Sequence, residues 1–206
     1  MKRIFLLLIL LLSFNPAQAA TLNTPAGNRL SWQLPAGWIA PTEPPQALLD
    51  QIALQLGQEA RLNGKNPTHR QLVQAAQQRL TVNELLLYHP RSGAWVSFDF
   101  SPLRQGEDPP SAASLELSAH YALESLSRED EFQHPSGSQR AQLLPGTQGT
   151  RRLDARYRQQ DVEVLFNGLI GYLTGEWFFI YATSYPAKAD VSKQIDKLFS
   201  SLKFET

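Results

Sequence analysis

The chain has no cysteine and a single methionine among its 206 residues. Without thiols there can be no disulfide, no cysteine-based zinc site and no thiolate nucleophile, so stability has to come from an apolar core. Neither sign of charge is in excess, with 19 Lys+Arg against 19 Asp+Glu. A chain so balanced carries no global basic field for nucleic acid. His69, His89, His120 and His134 show no i,i+4 or H-x-H spacing, and a zinc site would need three such ligands to converge from distant segments. Neither G-x-S-x-G nor the phosphate-loop pattern occurs, which leaves no nucleophile elbow and no nucleotide cradle. Ser136 and Ser138 near His134, and the consecutive acids Glu129, Asp130 and Glu131, read as hydrated loop residues. No catalytic residue, metal ligand or cofactor is expected.

Long apolar runs are also missing, except at the start. MKRIFLLLILLLSFNPAQAA combines Lys2 and Arg3 with an apolar run from Ile4 to Leu12, then Pro16 and the small residues Ala17 and Ala19. That order predicts a secretory signal peptide over residues 1–19, cut after Ala19. An uncleaved anchor is the weaker alternative, because the run is about half of the roughly 20 residues a spanning helix needs. Loss of Lys2 and Arg3 takes the 19 basic residues to 17 against 19 acidic, so the mature chain is near −2. No later segment is apolar enough to span a membrane. A periplasmic or secreted location follows, and a disulfide-free exported chain fits a bacterial envelope.

The remaining chain, 20–206, reads as one domain. NRLSWQL (28–34) alternates Leu30, Trp32 and Leu34 with polar residues, the period-2 pattern of a half-buried strand. From Gln46 the period changes to that of a helix, with Leu49, Ile52 and Leu56 on one face. Asn63 to Pro67 ends it, and Thr68 with Gln71 writes the capping box of a second helix over Leu72, Val73, Ala76 and Leu80. Strands are predicted at 84–88 and 94–100, the second with Trp95, Ser97 and Asp99 on one side and Val96, Phe98 and Phe100 on the other. Ser111 caps a helix carrying Leu115, Ala119, Ala122 and Leu126. Arg128 to Glu131 and HPSGSQ are polar and placed outside. RRLDARYRQ, Asp161 to Leu173 and Glu176 to Tyr185 are strands, the last two joined by Thr174-Gly175. Val191, Ile195, Leu198 and Leu202 mark a closing amphipathic helix.

Along Glu176 to Tyr185, Trp177, Phe179 and Tyr181 face one side while Phe178, Ile180 and Ala182 face the other. Apolar character on both sides means that both faces of the sheet are covered. The expected fold is therefore a three-layer α/β/α sandwich around a central, mostly antiparallel sheet of about six strands. On that reading the rings are interior filler, with a ligand wall as the alternative.

Three stretches carry a family likeness: the early strand running into Leu34-Pro35-Ala36-Gly37-Trp38, the hairpin FNGLIGYLTGEWFFIYATS, and the closing helix leading to Lys203-Phe204. The chain resembles the PsbP/DcrB-like family of small α/β/α domains with a central antiparallel sheet. Against that pattern the helix pair at about 46–80 is an insertion. The resemblance implies a non-catalytic domain that binds other proteins as an accessory, adaptor or chaperone-like unit, with another envelope protein as partner. The Gln-rich helix pair and an arginine stripe, Arg152, Arg156 and Arg158 on one face of a strand, are the candidate contacts. The stripe suits an anionic partner or headgroup, or is a solvated face partly neutralised by Asp154. The competing function is a carrier of a small apolar ligand, or an envelope hydrolase, with a pocket between sheet and helices touching Trp177 or Tyr181.

Overall fold

The computed structural model describes residues 18–128, 132–159, 161–186 and 189–205. Residues 1–17 of the expected leader, and Glu129, Asp130 and Glu131, lie outside the described residues.

Strands β1 (Gln18–Asn23) and β2 (Arg29–Leu34) come first, then helices α1 (Gln46–Leu62) and α2 (His69–Thr81). The α2 start is the capping box that the sequence spells: Gln71 N donates to Thr68 Oγ1 at 3.4 Å while Thr68 N donates to Gln71 Oε1 at 2.8 Å. Strands β3 (Leu85–His89) and β4 (Ala94–Pro102) precede α3 (Ala112–Arg128). The chain continues through β5 (Gln133–Ala141), β6 (Gly149–Gln159), β7 (Val162–Leu173) and β8 (Glu176–Ser184), and closes with α4 (Ala189–Ser201) and β9 (Lys203–Glu205).

Six strands form one antiparallel sheet in the order β3-β4-β8-β7-β6-β5, and β1-β2-β9 form a second, smaller sheet. The β7–β8 turn is the tight one expected, with Gly175 at φ 83°. Three elements differ from the sequence reading. HPSGSQ is not a loop: it lies in β5, an edge strand whose backbone pairs with β6. The stretch has no apolar alternation because most of its residues are exposed. A register shift between Gln133 and Ser136, with His134 at φ 52°, breaks the start of the edge, a device that discourages further pairing. NRLSWQL belongs to the small sheet, where Leu30 faces Phe204 of β9. Lys203-Phe204 is thus a strand and not the helix end.

Both faces of the large sheet carry cover, and the cover differs. On the first face Phe98, Leu169, Phe178 and Ile180 are fully buried beneath Ile195, Leu198 and Phe199 of α4 and Leu30 and Phe204 of the small sheet. On the second face α1 and α2 pack Leu48, Ile52, Ala76 and Leu80 against Leu86 and Tyr88. There α3 lays Ala119 on Leu153 and Ile170. Phe98, Phe178 and Phe199 each withdraw about 150–250 Å² from water, and at roughly 25 cal/mol per Å² that favours the closed sandwich by up to about 4–6 kcal/mol per ring.

Two contacts fasten the small sheet to the large one. Glu176, at the start of β8 and 0% exposed, accepts from Thr24 Oγ1, from Ala26 N at 3.1 Å and from Asn28 Nδ2 at 2.8 Å, all in the β1–β2 turn. At the other end Phe204 N of β9 donates to Pro145 O at 3.0 Å, and Gly146 packs directly on the Phe204 backbone.

Candidate binding trough

The second face of the large sheet is not evenly roofed. The helix pair lies over β3 and touches β4 through Trp95, while α3 lies over β5, β6 and β7. The β4–β8 rungs between them carry Trp95 opposite Thr183, Ser97 opposite Tyr181, Asp99 opposite Phe179, and Ser101 opposite Trp177. Six residues of strand span about 20 Å, and along that length the rungs run between the helix pair on one bank and α3 on the other, a strip we call the trough.

Two hollows open along it. One, of about 460 Å³, has Trp95, Ser97, Tyr181 and Thr183 in its floor, Gln55, Glu59, Arg79 and Asn83 on the helix-pair bank, and Ser125 and Leu126 on the α3 bank. The other holds Ser101, Trp177 and Phe179, between Ser118 of α3 and the loop from Leu103 to Glu107. Asp99 lies between the two, across the strand pair from Phe179 of the second hollow. Phe178, Ile180 and Ala182 are interior filler, as their parity predicts. Trp177, Phe179 and Tyr181 are partly buried: they pack against the α3-side cluster of Ala119, Leu153 and Ile170, and in addition border the two hollows. Their rings follow one another along the floor, Trp177 and Phe179 stacked at 6.1 Å and 9°, Phe179 and Tyr181 at 6.5 Å, with Phe166 against Tyr181 at 5.3 Å. The strand is apolar on both faces, but the cover over one of them stops at its edges.

Asp99 is the acid set into this floor. Burial raises its pKa above the ordinary aspartate value, an effect partly offset by the Phe100 amide. Glu84, where the β3 row of the same face meets the trough, is likewise raised, first by burial and less by the charges of Asp99 and Glu176; its carboxylate accepts from Phe100 N at 3.0 Å. The Tyr181 hydroxyl is held far above its usual range by burial and by the Asp99 charge. Among the described residues no cation pairs with Asp99. The Trp95 indole N–H is also buried there without an acceptor among the described residues.

An acid whose pKa is raised by folding holds its proton more tightly folded than unfolded. Its ionisation therefore removes stability as pH rises through the folded value, and the penalty is absent below the ordinary aspartate range. Asp99→Asn is accordingly expected to raise the melting temperature at pH 7, by a small margin because solvent reaches the carboxyl and screens its charge, with the gain shrinking toward pH 4. Thermal melts across that range check it, and a lower melting temperature for the variant at pH 7 would contradict the assignment.

The arginine stripe lies on the opposite face, and each member meets a carboxylate of this chain. Arg152 is 3% exposed, donates to Asp154 Oδ1 at 2.8 Å and Asp196 Oδ1 at 2.9 Å, and stacks 4.7 Å from the Phe199 ring centroid. Arg156 faces Glu163 at 3.9 Å, and Arg158 faces Asp161 at 3.6 Å. The strand brings the three to one face, but Arg152 ties β6 to α4 while the other two reach solvent. Of the histidines, His89 is packed against Trp38 at 5.5 Å with Nδ1 2.8 Å from Ser92 Oγ. Among the described residues no group of three or more His, Asp or Glu side chains is placed to hold a metal, and no helix is long and apolar enough to cross a membrane.

The Asp99 rung was not singled out from the sequence. Its signal was nevertheless present: in β4 the parity that starts at Trp95 continues through the polar Ser97, Asp99 and Ser101, although a fully roofed sheet requires apolar residues on both parities.

No family model matches the chain, and no curated protein matches it in sequence. Solved structures match it in fold. LpqN of Mycobacterium tuberculosis, described as involved in cell envelope biogenesis, superposes with a TM-score of 0.57 at 12% identity, over 92% of this chain and 91% of that one. Cyanobacterial PsbP (CyanoP) from Synechocystis sp. PCC 6803 superposes with a TM-score of 0.50 at 11% identity, over 94% and 95%. At such identities the likeness defines architecture alone: this chain has a PsbP/DcrB-like fold.

Proposed function

We propose that this protein is an exported, non-catalytic accessory protein of the cell envelope that holds a segment of another envelope protein in its trough. The observation that carries the reading is the half-buried aromatic floor left between two helical banks. Aromatic rings are enriched where proteins meet partners, and an apolar stripe kept open on an otherwise roofed sheet has a use. Export is supported by the leader pattern of residues 1–19, and the accessory role by the description of LpqN as an envelope-biogenesis protein. Arg156 and Arg158 offer a secondary contact for an anionic surface, at the expense of their pairing with Glu163 and Asp161.

The test is site-specific photo-crosslinking in the native envelope, with the photoreactive residue at Phe179 in the floor and, as control, at the fully exposed Leu143. Adducts to the same envelope protein from Phe179 and none from Leu143 are the expected result. Failure to obtain any protein adduct from Phe179 would end this reading. One specific observation favours a second reading, carriage of a small apolar ligand: the hollow of about 460 Å³ falls in the range of small-molecule sites. A co-purified ligand seen by native mass spectrometry is its signature.

A further inference from the structure

We infer that the trough reads an extended peptide with a cationic side chain seated over Asp99 and an apolar side chain two residues away on either side. The inference rests on the accessory reading and adds the chemistry of the partner. Three features of the floor lead to it. First, Asp99 lies among partly buried rings and has no cation paired with it among the described residues, since Arg79 and Arg104 border the hollows on either side without forming an ion pair to it. Second, the rings beside Asp99 suit a cation as well as a carboxylate does, because an ammonium or guanidinium is attracted to the face of an aromatic ring. Phe179 is directly across the strand pair from Asp99, with Tyr181 and Trp177 one rung to either side. Third, the spacing fits a chain and no small molecule is needed to explain it. Successive rungs are two residues apart, about 6.6 Å, and an extended peptide repeats the side chains of one face at that same interval.

A peptide laid along the trough thus puts an apolar side chain in the hollow of Tyr181, a cation at Asp99, and an apolar side chain in the hollow of Trp177. Its backbone amides need partners, and the banks offer Gln55, Asn83, Ser118 and Ser125. An anionic or neutral central side chain would leave the Asp99 charge unpaired in a partly dehydrated site, which is how such a site discriminates.

The probes are fluorescein-labelled, end-capped heptapeptides with phenylalanine at the second and sixth positions, serine elsewhere, and lysine, glutamine or glutamate at the fourth. Fluorescence anisotropy with the mature protein is expected to rank lysine above glutamine by about tenfold in Kd, with glutamate weaker still. Asp99→Asn is expected to erase the lysine advantage from both sides, weakening the lysine peptide and strengthening the glutamine peptide, and replacing both phenylalanines by serine is expected to abolish binding. Equal binding of the three peptides, a lysine preference that survives in Asp99→Asn, or no binding by any of them would overturn the inference. If crosslinks from Phe179 to an envelope protein persist while the lysine preference is absent, only the cation assignment falls; absence of those crosslinks removes the accessory reading itself.

Discussion

Glu176→Ala is expected to lower the stability of the folded protein by about 3–5 kcal/mol, a fall in melting temperature of roughly 6–20 °C for a domain of this size. The carboxylate is 0% exposed, and no cation among the described residues pairs with it. Its charge is met by donors alone: Thr24 Oγ1 and Asn28 Nδ2 on Oε1, and Ala26 N on Oε2. Each is a hydrogen bond to a charged group, worth about 1.5–3 kcal/mol net. The three do not add, because water entering the space left by the side chain meets part of the need of the Thr24, Ala26 and Asn28 donors that have lost their partner. Asn28 retains only its bond to Thr174 O at 3.1 Å. Because all three donors sit in the β1–β2 turn, the damage should be local first. Amide exchange should accelerate in β1 and β2 before it does in β7 and β8, since sub-global opening follows the weakest attachment. Glu176→Gln separates charge from shape. It keeps an oxygen for Thr24 and Asn28 but turns an amide NH₂ toward the Ala26 N–H, so an intermediate loss is expected. An alanine variant melting within about 2 °C of the wild type would show that the turn does not depend on this carboxylate.

The same anchoring explains what was and was not legible in the sequence. Helix α2 could be placed from Thr68, Gln71 and four apolar positions because capping and periodicity are local properties. The hairpin of β7 and β8 was legible for the same reason, through Thr174-Gly175 and the alternation on either side. The second sheet was not. β9 is only Lys203–Glu205, too short for a period to show, and its existence depends on Leu30 lying opposite Phe204 at the far end of the chain. β5 was missed because an exposed edge strand has no apolar parity to display, and what makes it a strand is the β6 backbone beside it. The trough was half legible. The two-sided apolar character of β8 indicated cover on both faces, which holds for Phe178 and Ile180. Where the cover ends is a matter of how far α3 lies from the helix pair, a tertiary distance that no periodicity encodes. The polar parity of β4 was the trace it left.

Gly146 should be the least replaceable glycine among those at positive φ, and its substitution by alanine is expected to cost about 3 kcal/mol or more. Two penalties combine there. At φ 81° a residue with a Cβ is strained by about 1–2 kcal/mol. In addition, an added methyl would overlap the Phe204 carbonyl oxygen and lie 2.6 Å from its carbon, both of them backbone atoms that cannot rotate away. The alternatives are to displace β9, which breaks the Phe204 N to Pro145 O bond of 3.0 Å, or to flatten the turn and lose the approach altogether. Either pulls the Phe204 ring from Phe178, which it meets at 4.8 Å, and so reaches the centre of the first-face core. Gly106 supplies the control within the same molecule. Its φ is 82°, and a Cβ there meets nothing within 4 Å, so Gly106→Ala should lose only the conformational part, about 1–2 kcal/mol. The difference between the two variants in denaturant melts isolates the close approach from the backbone angle. Equal losses would mean that β9 gives way without penalty. A larger loss at Gly146, accompanied by faster amide exchange in β2 and β9, would establish that the last strand is held by contact between backbones, with glycine required because only it leaves the space.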